Sequence, residues 1–339
     1  MSMARKVIAW GAAALLLILP GTAAAAAPPG DRPPGIQVTG ERWIGDRLLE
    51  LTVRSAALEG VGTVRLLTPD GWEGRGPGER WPVLYLLAGG HGDPEAWTED
   101  YAVERLPHLR DVLVVMPSMP LFGFYSDWWN GGAGGAPRVE TFHLDEVRPL
   151  LERLYGAGDR RVAAGESQGG FGALTYAARH PGLFRAVAGL SSYVHPLQHP
   201  RAVQAGLDYL GLDRLALWGD PVAQRRIWQD HDPYYRPERL RAVEVHLSSG
   251  DGRAGTLDPP GTEPDPHVPG LEDPDDPFPE DVLSPTEAIM GAENRAMASR
   301  LRAHGVAVTT HFYRGTHSPP YWERELRDAL PALLRSLGR

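Results

Sequence analysis

Three five-residue runs in this chain, VLYLL (83–87), VLVVM (112–116) and AVAGL (186–190), are apolar at every position. A strand with one wet face alternates apolar and polar side chains. A strand without alternation is covered on both faces, as in a parallel sheet packed between helices. Two further strand-like runs follow, VEVHL (243–247) and VAVTTHF (306–312). Between the runs lie helix-like segments at 140–156, 169–181, 286–305 and 321–338. This alternation predicts right-handed crossovers and a doubly wound, mostly parallel α/β sheet with helices on both faces. Short β-like runs at 48–58 and 62–69 precede it, followed by a turn-rich loop at 70–80. With no internal repeat and no linker in mid-chain, one α/β domain is expected over 46–339.

The first 27 residues read differently. Arg5 and Lys6 precede a 13-residue apolar run, Val7 to Leu19, and then PGTAAAAA. That is the layout of a cleaved secretory signal peptide, and the run is short for a membrane span. Residues 28–45, opening on a Pro/Gly stretch, are expected to form a flexible leader. The mature chain is thus expected to be secreted and free of a transmembrane span. A net charge of −9 argues against a nucleic-acid partner. The chain has no cysteine, which excludes disulfides, thiolate metal sites and a cysteine nucleophile. Lys6 is its only lysine, so Schiff-base chemistry is excluded from the folded part.

Residues 165–170 read GESQGG, a G-x-S-x-G pattern directly after the apolar RVAA and directly before a helix-like run. A Gly/Ser turn is the plain alternative, and the pattern alone is weak. Strand, turn and helix in that order are the context of a nucleophile elbow. There the flanking glycines allow a strained turn, and the serine hydroxyl rises above the sheet. Ser167 is therefore the candidate nucleophile. The amide of Gln168, at the helix N-terminus, is a candidate oxyanion donor.

Serine needs a base, and in this architecture the chain order is Ser, acid, His. His317 lies in the loop after the last strand-like run, where a doubly wound sheet carries its chemistry. His304 and His311 fall inside a helix end and a strand, and read as structural. The acid is expected after the preceding strand, where Asp251 and Asp258 are both available. LLAGGHGD runs from a strand into glycines and offers the Gly90 amide as the second oxyanion donor, with Gly89 and His91 beside it. Residues 259–281 carry eight prolines and eight acidic side chains. They read as a surface insertion reaching to about 282, without the spacing of an EF-hand calcium loop.

LYLLAGG, FYSDWW (124–129), ETFHLDEVRPLL (140–151), GESQGGFGALTYAARHPGLF (165–184) and GTHSPPYWERELRDALP (315–331) together resemble the esterase D family of α/β-hydrolases. Within it the chain is most similar to the secreted mycolyltransferases of the antigen 85 type. The resemblance implies the α/β-hydrolase fold, Ser167 as nucleophile, His317 as base, and the amides of Gly90 and Gln168 as oxyanion hole. It also implies that Asp127 and Trp128 shape the acyl pocket, although both could instead hold their own loop. The family's two sugar-holding residues beside the oxyanion loop are matched here by Ala88 and His91. Its acid position matches Thr256, so the choice falls on nearby Asp258, with Asp251 next.

The expected chemistry is two-step acyl transfer without metal or cofactor. A small-molecule or lipid ester acylates Ser167, and water or an acceptor such as a sugar or glycerol hydroxyl releases the acyl group. Hydrolysis is the first expectation and acyl transfer to a hydroxyl the alternative. A catalytically inactive binding protein on the same scaffold is the rival of another class. The insertion at 259–282, which follows the acid-bearing loop, is a candidate lid.

Overall fold

The computed structural model describes residues 35–338. The chain enters its sheet at the N-terminal edge with Gln37–Trp43 (β1), antiparallel to Leu48–Ser55 (β2), which pairs with Gly60–Leu67 (β3). Trp81–Leu87 (β4) follows, then Ala96–Glu99 (α1) and Leu113–Pro117 (β5). Val139–Thr141 (α2) continues through a π-helical turn at Phe142–Val147 into Arg148–Leu154 (α3). After Ala157–Glu166 (β6) come Gln168–Arg179 (α4) and Ala186–Leu190 (β7). Pro200–Tyr209 (α5), Arg225–His231 (α6) and Glu244–Ser249 (β8) lead to Pro285–Ala303 (α7), Val308–Phe312 (β9) and Pro319–Ser336 (α8).

The strand order is β1-β2-β3-β5-β4-β6-β7-β8-β9, antiparallel over the first four and parallel from β5 onward. The strands that read as apolar throughout are buried on both faces. Val83, Tyr85 and Leu87 of β4 share one buried cluster with Leu150 of α3, Leu174 of α4 and Met297 of α7. The intervening Leu84 and Leu86 share the cluster on the opposite face with Leu326, Leu330 and Leu333 of α8. Each fully buried Leu or Val contributes roughly 1.5–3 kcal/mol, which is why the sequence can hold no polar residue there. This is the expected α/β-hydrolase architecture.

Two expectations need adjusting. Gln37–Trp43 belongs to the sheet instead of to a flexible leader. It is an edge strand, mostly exposed, and carries too little apolar patterning to stand out. The insertion after Pro259 is more than a solvated excursion. It leaves and rejoins the body at an Arg253–Val282 bridge, and Leu271 and Phe278 pack on a third apolar cluster with Phe124, Trp218 and Met290. The proposed signal peptide lies outside the described residues. Among them, no helix is long and apolar enough to cross a membrane.

Candidate active site

The strand order decides where chemistry can assemble. β4 and β6 are neighbours, with Leu87 paired to Gly165, so the loops leaving both strands emerge side by side. One carries Gly89 and Gly90, the other Ser167. Ser167 is held at φ 54° and ψ −122°, a conformation that costs a non-glycine residue roughly 1–3 kcal/mol. Close packing enforces it. A Cβ at Gly165 would overlap the backbone of Gly169, and one at Gly169 would overlap the carbonyl of Leu87. Gly169→Ala should therefore destabilise the protein by about 1–3 kcal/mol, read from its thermal midpoint; an unchanged midpoint would mean the elbow has slack.

His317 sits between β9 and α8. Its Nε2 lies 3.1 Å from Ser167 Oγ, and its Nδ1 lies 2.6 Å from Glu287 Oε2. The geometry puts the ring proton on Nδ1, donated to the carboxylate, and leaves Nε2 free to accept from the serine. Glu287 is the third residue of α7 and is fully buried. It also accepts from Ser191 Oγ at 2.7 Å, Ser249 Oγ at 3.0 Å and the Gly250 amide at 2.5 Å. Four donors on one carboxyl make a buried anion tolerable. Burial disfavours the His317 imidazolium, but the hydrogen bond and charge of Glu287 outweigh it, with Glu166 and Asp265 adding to the effect. The pKa of His317 is raised.

The carboxylate beside His317 is thus neither of the two aspartates expected there. Asp258 accepts from the Gly255 amide at 2.7 Å, from Tyr321 Oη at 2.8 Å and from Thr316 Oγ1. Burial works against its charge, yet these bonds, led by Thr316, hold its pKa below the usual value. Its place is to tie the 255–258 turn to the residue preceding His317. Asp251 faces away, bonded to the amide and guanidinium of Arg253. The physical reason is the insertion. The chain leaves β8, makes its whole excursion, and only then delivers a carboxylate at the start of α7.

The two oxyanion candidates face a common space. Gln168 opens α4, and its side-chain Oε1 accepts from the Phe124 amide at 3.3 Å. The carbonyl of Gly90 accepts from the Phe122 amide at 2.8 Å, while the Gly90 amide has no partner among the described residues. Gly90, Ser167, Gln168 and His317 line one cavity of about 550 Å³, within the usual range for small-molecule sites. Its remaining wall is largely apolar: Leu121, Phe122, Tyr193, Leu210, Met290 and Trp322, with Val268 and Leu271 from the insertion. His91 also lines it. Asp127 and Trp128 do not. Asp127 accepts from the amide and hydroxyl of Thr141 at 3.0 and 2.6 Å, and so anchors the start of the helix. Trp128 is buried and donates to the Gly123 carbonyl at 3.2 Å.

Residues 55–333 match the family described as Putative esterase. The chain belongs to that family. It is 29% identical over 315 residues to Esterase Rv1288 of Mycobacterium tuberculosis, an alignment covering 89% of this chain and 62% of that protein. The chain therefore spans under two thirds of that relative's length. It is 28% identical over 280 residues to the diacylglycerol acyltransferase/mycolyltransferase Ag85A of Mycobacterium leprae, covering 77% of each. Among solved structures, MPT51 of M. tuberculosis superposes with a TM-score of 0.63 at 22% identity, over 85% of this chain and 97% of that one. An S-formylglutathione hydrolase from Agrobacterium tumefaciens gives 0.61 at 17%, over 88% and 99%. These two likenesses speak for the fold. By family model and relatives, this esterase-family chain is similar to the antigen 85-type proteins that its motifs resemble.

Two residues of the site were not legible as such. Glu287 sits in SPTE (284–287), which reads as a helix capping box. Here Ser284 makes no side-chain cap bond, and Glu287 turns to His317. Glu166 is the residue just before the nucleophile, and the nucleophile pattern leaves its identity open.

Proposed function

We propose that this protein is a secreted serine esterase that works through Ser167, His317 and Glu287 and an acyl-enzyme on Ser167. The observation that carries the reading is the unbroken chain of contacts from Ser167 Oγ to His317 to a fully buried Glu287, at the wall of an apolar cavity. His317 takes the serine proton as Oγ attacks the ester carbonyl. The amides of Gly90 and Gln168 receive the oxyanion, each worth roughly 10²–10³ in rate. Glu287 keeps the imidazole oriented and stabilises its charged form. His317 then protonates the leaving alcohol, and water deacylates the serine by the same route in reverse.

The apolar wall suits the acyl group of a lipid or small ester. A series of p-nitrophenyl esters from acetate to palmitate tests this. Each added CH₂ should raise kcat/KM by about fourfold, from about 0.8 kcal/mol of burial, until the cavity is full. A flat or falling series from acetate onward would refute the acyl pocket. The same series run with glycerol or trehalose tests transfer to a hydroxyl, the reaction that the likeness to Ag85A brings forward. Acylated acceptor in excess of free acid would replace hydrolysis with transfer. The intact contact from serine to acid weighs against a binding protein without turnover. Secretion rests on the N-terminal 27 residues alone and is tested by the N-terminus of the exported chain.

Turnover should also fall on the acid side as His317 becomes protonated. Glu287 favours the imidazolium, so the acid limb of kcat/KM should lie above the ordinary histidine value of about 6.5. A limb centred below that value would remove His317 as the base.

A further inference from the structure

Glu166 is a carboxylic acid buried at the wall of the cavity, and the acyl-transfer steps make no use of it. Only 5% of its surface is exposed. Burying a charge this deeply costs several kcal/mol unless partners repay it, so the position calls for an account. Its Oε1 accepts from the amide of Gly89 at 2.5 Å. A Cβ on Gly89 would overlap the carboxylate, so the glycine loop lies flush against it. The next residue is Gly90, whose carbonyl is held from the other side by the Phe122 amide. The stretch is thus pinned at both ends, with the Gly90 amide between the two bonds.

We propose that Glu166 is a positioning residue, whose bond to the Gly89 amide aims the Gly90 amide at the developing oxyanion. The proposal rests on the esterase reading above. The pairing of β4 with β6, with Leu87 opposite Gly165, sets the residue before the serine beside this loop. The groups facing Glu166 are the Gly89 amide, His317 ahead of α8, Asp100 after α1, and the hydroxyls of Tyr101 and Tyr125. Burial pushes its pKa up to about 7, against the Gly89 bond and His317, which favour the anion. The anion in turn favours the His317 imidazolium.

The test compares Glu166→Asp with Glu166→Gln in the full protein, with active sites titrated by a fluorophosphonate. Aspartate keeps the charge but withdraws the acceptor by one methylene. Glutamine keeps an acceptor oxygen in place and drops the charge. Since a misplacement of about 1 Å costs about 10²-fold, Glu166→Asp should lose kcat by about that factor with KM little changed. Glu166→Gln should retain kcat at pH 8 and shift the acid limb to lower pH. Wild-type kcat in the aspartate variant, or an equal loss in the glutamine variant, overturns the proposal. If the aspartate variant fails to fold, the glutamine profile decides, and an unmoved acid limb overturns it. Stoichiometric phosphonylation of wild-type Ser167 separates the two levels. Without it the esterase reading itself falls; with it, indifference to both substitutions removes Glu166 alone.

Discussion

Ser167→Ala should abolish ester turnover by a factor of about 10⁴–10⁶ while leaving the fold intact. The serine hydroxyl makes one side-chain hydrogen bond among the described residues, to His317, so its loss leaves no buried group of the elbow unsatisfied beyond the imidazole. Alanine keeps the Cβ that serine carries, so the strain at φ 54° is unchanged and the thermal midpoint should move little. The measurement is kcat/KM on a p-nitrophenyl ester, with the melt as a control. Turnover surviving at a tenth of the wild-type level would mean that another nucleophile acts.

The second large effect separates the two acids. Glu287→Gln should cost about 10⁴ in kcat, because an amide no longer stabilises the imidazolium and can turn its NH₂ toward Nδ1, favouring the wrong tautomer. Glu287→Ala adds a structural loss, since Ser191, Ser249, Gly250 and His317 would all face an empty space. Asp258→Asn touches only the bonds to Thr316, Gly255 and Tyr321, and should leave kcat within about tenfold. The reverse order, with Asp258→Asn dead and Glu287→Gln active, would restore the aspartate expected from the sequence. The same pair has a pH signature. Removing the Glu287 charge lowers the pKa of His317, so what activity remains in Glu287→Gln should persist to lower pH than in the wild type.

Much of this was readable before any coordinates. The strands at 83–87, 113–117 and 186–190 are apolar because helices cover both faces, a local pattern with a local cause. The elbow at 165–170 is likewise local: glycines are needed where Leu87 and Gly169 nearly touch. His317, whose Nε2 lies within hydrogen-bond distance of Ser167, was legible by its place after the last strand. The carboxylate beside it was not, because its position depends on how the chain returns from an excursion that begins after β8 and ends at α7. No spacing rule survives an insertion of that length, and SPTE carries a sufficient capping explanation of its own. Asp127 stayed open for a related reason. A short acidic side chain in an aromatic loop can serve a pocket or a helix start, and only the contact with Thr141 tells which. The edge strand β1 went unread because most of it is exposed.

Everything depends on one covalent bond forming at Ser167. Brief incubation with a p-nitrophenyl ester, acid quench and mass spectrometry of the proteolysed protein would detect it directly. The peptide carrying Ser167 should gain one acyl group, with no adduct in Ser167→Ala. An acyl group found on a different residue, or burst release of nitrophenol from Ser167→Ala, would contradict the account.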